Sequence, residues 1–120
     1  MPQAKRYALV VEDDELQRQL INVILVDSGF DVLQSDTAEA AMIILEEVGH
    51  DLSLMVTDVR LNGEMSGSQL AKHADQKFPK IKVIVTSGKD LLPTLPEGTT
   101  FLRKPYKPLD LMREAQAVTA

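Results

Sequence analysis

Apolar runs alternate with segments of helical spacing along the whole chain. Near-continuous apolar stretches fall at 6–11 (RYALVV), 52–57 (LSLMVT) and 81–86 (IKVIVT). That is the pattern of strands covered on both faces. Two more polar stretches, 31–35 (DVLQS) and 99–103 (TTFLR), read as strands at sheet edges. Between the first two strands, Leu16, Leu20, Val23 and Ile24 predict the buried stripe of a helix that stops at the glycine of DSGF. Ala41, Ile44, Leu45 and Val48 predict a second helix, with Asp36 and Glu39 as its cap pair. Leu70, Ala71, Ala74 and Phe78 predict a third, ended by Pro79. Pro108 in a first turn, followed by Leu111, Met112, Ala115 and Val118, predicts the last. The stretch from Ser87 to Thr99 carries two prolines and has room for a turn or two of helix at most.

Five strands alternating with helices imply an α/β fold with a parallel sheet wrapped on both faces. The 120 residues fit one domain, 1–120, large enough to bury a core without staples. In such sheets ligands bind outside the carboxyl ends of the strands, where the strand order reverses. The common five-strand order sets the first and third strands side by side at that point.

Composition narrows the chemistry. With no cysteine there is no disulfide framework, thiolate metal site or cysteine nucleophile. A net charge of −5 and 4% aromatic residues argue against a nucleic-acid surface. No apolar run approaches the roughly 20 residues of a membrane span, and the N-terminus lacks a signal-peptide layout. The expectation is a soluble, cytoplasmic protein.

The strand ends carry the candidate chemistry. Glu12, Asp13 and Asp14 come after the first strand, Asp58 after the third, Thr86, Ser87 and Gly88 after the fourth, and Lys104-Pro105 after the fifth. Carboxylates about 4 Å apart repel by roughly 4 kcal/mol per pair at an effective dielectric of 20. Such a cluster holds a proton or binds a cation. Oxygen donors without His or Cys favour a hard ion, Mg²⁺ or Mn²⁺. Add a lysine and a hydroxyl, and the parts for phosphoryl transfer are present. Asp58, at a strand tip, is placed to be the nucleophile.

The chain resembles the response-regulator receiver domains of two-component signalling, in the family's motif order and over nearly its whole length. The motifs are VVEDD (10–14), VTDVRLNGEMSG (56–67), VIVTSG (83–88) and FLRKPY (101–106). The resemblance implies a doubly wound, flavodoxin-like sheet of order 2-1-3-4-5. It implies that Glu12 and Asp13 are the acidic pair, Asp13 the more direct metal ligand, and Asp58 the phosphoacceptor. Arg60 would lend its backbone carbonyl to the Mg²⁺. Thr86 would be the hydroxyl that moves onto the phosphoryl group, Lys104 the lysine paired with Asp58, and Phe101 the aromatic that changes rotamer. The phosphodonor would be a histidine kinase or histidine phosphotransfer protein, and the chain a stand-alone regulator or an excised receiver that promotes only its own phosphorylation and dephosphorylation.

Two departures stand out. Asn62 occupies a position where the family carries proline, in a loop with one extra residue. The Thr86–Lys104 stretch is shorter than usual, at the expense of the family's fourth helix. Two other functions fit the residues less well. A phosphorylation-independent binding module would not need the full set of Glu12, Asp13, Asp58, Thr86 and Lys104. An aspartyl-nucleophile phosphohydrolase would carry an acid where Arg60 stands. Asp14 reads as a helix cap. Ser87 reads equally as a residue shaping access to the phosphoryl group and as a small loop residue, Tyr106 as packing beside the proline, His50 and His73 as solvated, and Lys77, Lys80 and Lys82 as a solvated rim.

Overall fold

The computed structural model describes residues 6–88 and 94–118. Five strands, β1 (Arg6–Val11), β2 (Phe30–Ser35), β3 (Leu52–Asp58), β4 (Lys82–Ser87) and β5 (Thr100–Arg103), form one parallel sheet of order β2-β1-β3-β4-β5. Helices α1 (Glu15–Asp27), α2 (Ala38–Val48), α3 (Gly67–Lys77) and α4 (Pro108–Gln116) complete the described elements, with a 3₁₀ turn at Gly49–Asp51. The expected fold and strand order hold. The segment between β4 and β5 falls partly on 89–93, outside the described residues, and 94–98 contain no helix.

Alternation along the strands divides the core. Ala8 and Val10 of β1, Leu54 and Val56 of β3 and Ile84 of β4 face Ile21 and Leu25 of α1 and Leu111 and Ala115 of α4. Leu9, Val11, Met55, Val83 and Val85 face α2 and α3 through Ala41, Leu45, Leu70 and Ala74. With both faces covered, a central strand has no polar side to show. That is why the sequence runs are continuous.

The structure corrects the stripe expected for α1. Ile21 and Leu25 are the buried residues, whereas Leu16, Leu20 and Val23 are 68%, 57% and 55% exposed. The helix is apolar on too many sides for spacing to fix its phase. The cap and the sheet together select it: Asp14 accepts from the Gln17 amide at 2.9 Å, and Ile21 and Leu25 pack against β1 and β3. The cap of α2 is Thr37, which accepts from Ala40 at 3.1 Å, and not Asp36. Lys82 is not simply solvated, because its ammonium meets the Glu114 carboxylate at 3.0 Å. His73 is only partly exposed, its ring packed edge-on to Phe78 and 3.6 Å from Glu46.

One glycine is fixed by close approach. A Cβ on Gly67, at the start of α3, would collide with the Asp58 carbonyl oxygen. The Gly67 amide donates to Val59 O at 2.9 Å. The first turn of α3 is therefore pressed against the backbone that carries Asp58.

Candidate functional site

Strand register assembles the site. Val11 pairs with Thr57 and Asp58 with Thr86, so the ends of β1, β3 and β4 stand level. The chain leaving β3 is held by Val59 N donating to Thr86 O at 2.9 Å, and the chain leaving β5 by Lys104 N donating to Ser87 O at 2.8 Å. The Lys104–Pro105 peptide is cis.

Glu12, Asp13 and Asp58 each offer a carboxylate oxygen within 4.8 Å of the others. The Lys104 ammonium donates to Glu12 Oε1 at 3.2 Å, to Asp58 Oδ2 at 3.3 Å and to Gln17 Oε1 at 2.8 Å. Glu12 is almost fully buried and also accepts from the Asp14 amide at 3.3 Å. The Arg18 guanidinium donates to the Glu12 carbonyl at 2.8 Å, tying α1 to the strand end. Asp13 accepts from the Asn62 amide at 3.1 Å. Asp14 caps α1 and does not join the cluster.

Burial pushes the Glu12 carboxyl above its ordinary pKa, and its hydrogen bond with Asp13 adds to the shift. The Asp14 amide and the Lys104 ammonium pull the other way without overcoming it. For Lys104, burial alone would lower the pKa, but Asp58 and Glu12 outweigh it and the ammonium is held above its usual range. One lysine thus leaves the cluster short of positive charge. A Mg²⁺ ion takes oxygen ligands at about 2.1 Å in an octahedron, which sets neighbouring oxygens about 3 Å apart. Glu12, Asp13 and Asp58 bring three such oxygens within 4.8 Å of one another, so the donor set fits a hard divalent cation.

Thr86 is buried and its hydroxyl has no hydrogen-bond partner among the described residues. A polar atom left unsatisfied in a protein interior calls for an explanation. Arg60 lines an open cleft of about 450 Å³ with Asp13, Asn62 and Gly63, its residue exposed. Phe101 pairs in register with Val85, half-buried against the α2–α3 side of the core, and is not among the groups gathered at the carboxylates. Two participants escaped the sequence reading. Gln17 lies in the first turn of α1, and its contact with Lys104 depends on how that helix sits over the strand ends. Glu39, expected to be a cap partner, instead accepts from the Glu64 and Met65 amides, each at 3.2 Å.

A doubly wound parallel sheet with acids, a hydroxyl and a lysine at its switch point defines a class of α/β protein that gathers its chemistry at the strand ends. The family model described as "Response regulator receiver domain" matches residues 8–116, and the chain belongs to that family. It is similar to the two-component response regulator ORR11 of Oryza sativa subsp. indica, 33% identical over 118 residues, covering 92% of this chain and 78% of that protein. It is also similar to a cyclic di-GMP phosphodiesterase of Thermotoga maritima, 29% identical over 110 residues, covering 88% of this chain but 28% of that protein. A CheY-like receiver domain from Methanospirillum hungatei superposes with a TM-score of 0.79 at 25% identity, covering 92% of this chain and 90% of the other. Receiver domains are signalling domains. Among the described residues no helix is long and apolar enough to cross a membrane.

Proposed function

We propose that this receiver takes a phosphoryl group onto Asp58 from the phosphohistidine of a histidine kinase or phosphotransfer protein, and that the gained charge resets a partner-binding face. The observation that carries this reading is the Lys104 ammonium bridging Glu12 and Asp58 beside Asp13. An Asp58 oxygen attacks phosphorus in line. As the O–P bond forms, the P–N bond breaks and the imidazole nitrogen leaves with its electron pair. Lys104 tracks the negative charge from the carboxylate to the phosphoryl oxygens. Glu12, Asp13, Asp58 and the Arg60 carbonyl would hold Mg²⁺, which when bound supplies charge neutralisation at those oxygens. The unpartnered Thr86 hydroxyl gains an acceptor once the phosphoryl group arrives. Its inward movement frees space for Phe101, which makes the β4–β5 side a bistable element biased by one local charge. The aspartyl phosphate is the product, and its hydrolysis returns the protein to the starting state.

The donor's approach has a natural surface. Gln17, Leu20, Val23, Lys104, Pro105 and Tyr106 line an apolar groove of about 440 Å³, continuous with the site through Gln17 and Lys104. A protein bringing a phosphohistidine to Asp58 would cover this groove and the exposed Leu16 beside it.

Incubation with acetyl phosphate and Mg²⁺, with products resolved on a phosphate-affinity gel, tests the reading. A retarded band is expected for the unaltered protein and none for Asp58→Asn. No band in either sample would favour a phosphorylation-independent binding module, and equal bands would remove Asp58 as the acceptor.

A further inference from the structure

The loop between β3 and α3 departs from the family pattern, and the structure gives it an anchor from outside. Glu39 lies in the first turn of α2, where backbone amides lack helical partners and the helix end favours an anion. Its carboxylate accepts from the amides of Glu64 and Met65 at 3.2 Å and from its own amide. Two chain segments are thus joined by charge-assisted bonds to one side chain. Gly63 fits this arrangement: at φ +104°, its Cβ would lie 2.7 Å from Glu39 Oε1. One residue back, Asn62 forms a parallel bridge with Thr37 and donates its amide to Asp13 Oδ2 at 3.1 Å. A line of contacts therefore runs from α2 through the loop to a carboxylate of the cation cluster.

We propose that Glu39 is a positioning residue for the cation site, clamping residues 62–65 so that Asn62 holds Asp13 and the loop carries Arg60 in one fixed arrangement. The proposal rests on reading Glu12, Asp13 and Asp58 as ligands of a divalent ion. A carboxylate suits the task because one group accepts several amides at once. The Asn-Gly turn gives the loop the tight, left-handed bend that brings those amides to it. The loop is thus stiffened from α2, an element outside it.

The test uses the full chain, isotopically labelled, with two readouts. First, amide hydrogen exchange is measured without metal. Glu39→Ala is expected to speed exchange at Asn62, although that amide's own acceptor, Asp13, is untouched. Second, Mg²⁺ is titrated and its binding read from amide chemical shifts. Glu39→Ala is expected to weaken binding about tenfold, the lower end of the effect of groups that orient metal ligands. Glu39→Gln, which keeps an acceptor oxygen, is expected to recover most of the loss. Gly63→Ala, which pushes a methyl group at the intact carboxylate, should reproduce the defect. Thermal unfolding of each variant reports that the fold is kept. Unchanged exchange at Asn62 or unchanged Mg²⁺ affinity in Glu39→Ala would overturn the positioning role while leaving the cation site standing, whatever Gly63→Ala does, since an alanine at φ +104° strains the loop by itself. An unaltered protein that binds no Mg²⁺ would overturn the cation reading itself, and the proposal with it.

Discussion

Asp58 draws its chemistry from its neighbours. It stands at a strand end, within 3.3 Å of an ammonium and inside a cluster of three acids. Glu12 is nearly buried with only part of one lysine beside it, and burial raises its pKa. A divalent cation held there, as proposed, would offset that cost. Glu39 behaves in the opposite sense. Its pKa is lowered, chiefly by its own amide and by that of Met65. A carboxylate depressed in the folded state lends stability above its unfolded pKa and loses it as pH falls through the folded value. The clamp is therefore expected to be intact at neutral pH and to loosen on the acid side, below the ordinary value for a glutamate. Amide shifts of Glu64 and Met65 recorded against pH should show that acid-side transition, and Glu39→Gln should abolish it. Equal titration in the variant would mean that another group governs the loop.

At the scale of elements, α1 shows how burial and contact divide a single helix. Ile21 and Leu25 hold it to the sheet, so Leu25→Ala is expected to cost about 2–5 kcal/mol. Leu20 is exposed on the groove, so Leu20→Ser should change stability by less than about 0.5 kcal/mol. The same variant should leave phosphorylation by acetyl phosphate unchanged and slow transfer from a protein phosphodonor about tenfold, as loss of a buried interface anchor of about 1.4 kcal/mol would. Equal rates with both donors would move the docking face elsewhere. Gly67 makes a sharper point about α3. A methyl group there meets the Asp58 backbone, so Gly67→Ala is expected to cost about 1–3 kcal/mol or more and to lower phosphorylation with it. Thermal melts and labelling rates measured together check both. These elements also mark what the sequence could and could not convey. The strands were legible because burial on both faces leaves an unbroken apolar run, as in β3 and β4. The phase of α1 was not, because Leu16, Leu20, Ile21, Val23, Ile24, Leu25 and Val26 satisfy several stripes at once. Only the cap at Asp14 and the sheet select one. The role of Glu39 was hidden for a related reason. Its spacing from Asp36 suits a cap, and the loop that claims it returns 25 residues later.

For the whole molecule, the strand order is what turns dispersed residues into a site. Positions 12, 58 and 104 are far apart in the chain and meet, with 86 level beside 58, because β1, β3, β4 and β5 are neighbours running in one direction. The residue types at the strand ends were readable in advance, and the register that levels them was not. A ligand that binds only the folded state stabilises it increasingly as its concentration exceeds Kd. Mg²⁺ at about 100 times its Kd should therefore add about 2.7 kcal/mol to stability, seen as a rise in Tm, and Asp13→Asn should remove most of that gain. No Mg²⁺-dependent rise would leave the acid cluster a structural feature only. The chain spans 78% of one curated relative and 28% of another. If these side chains form one pocket that receives a phosphoryl group on Asp58, intact-mass measurement after exposure to acetyl phosphate will show it. A gain of one phosphoryl mass is expected in the presence of Mg²⁺, lost with a chelator or in Asp58→Asn. A chain that gains no mass under any condition, or gains it equally without Asp58, would contradict that reading.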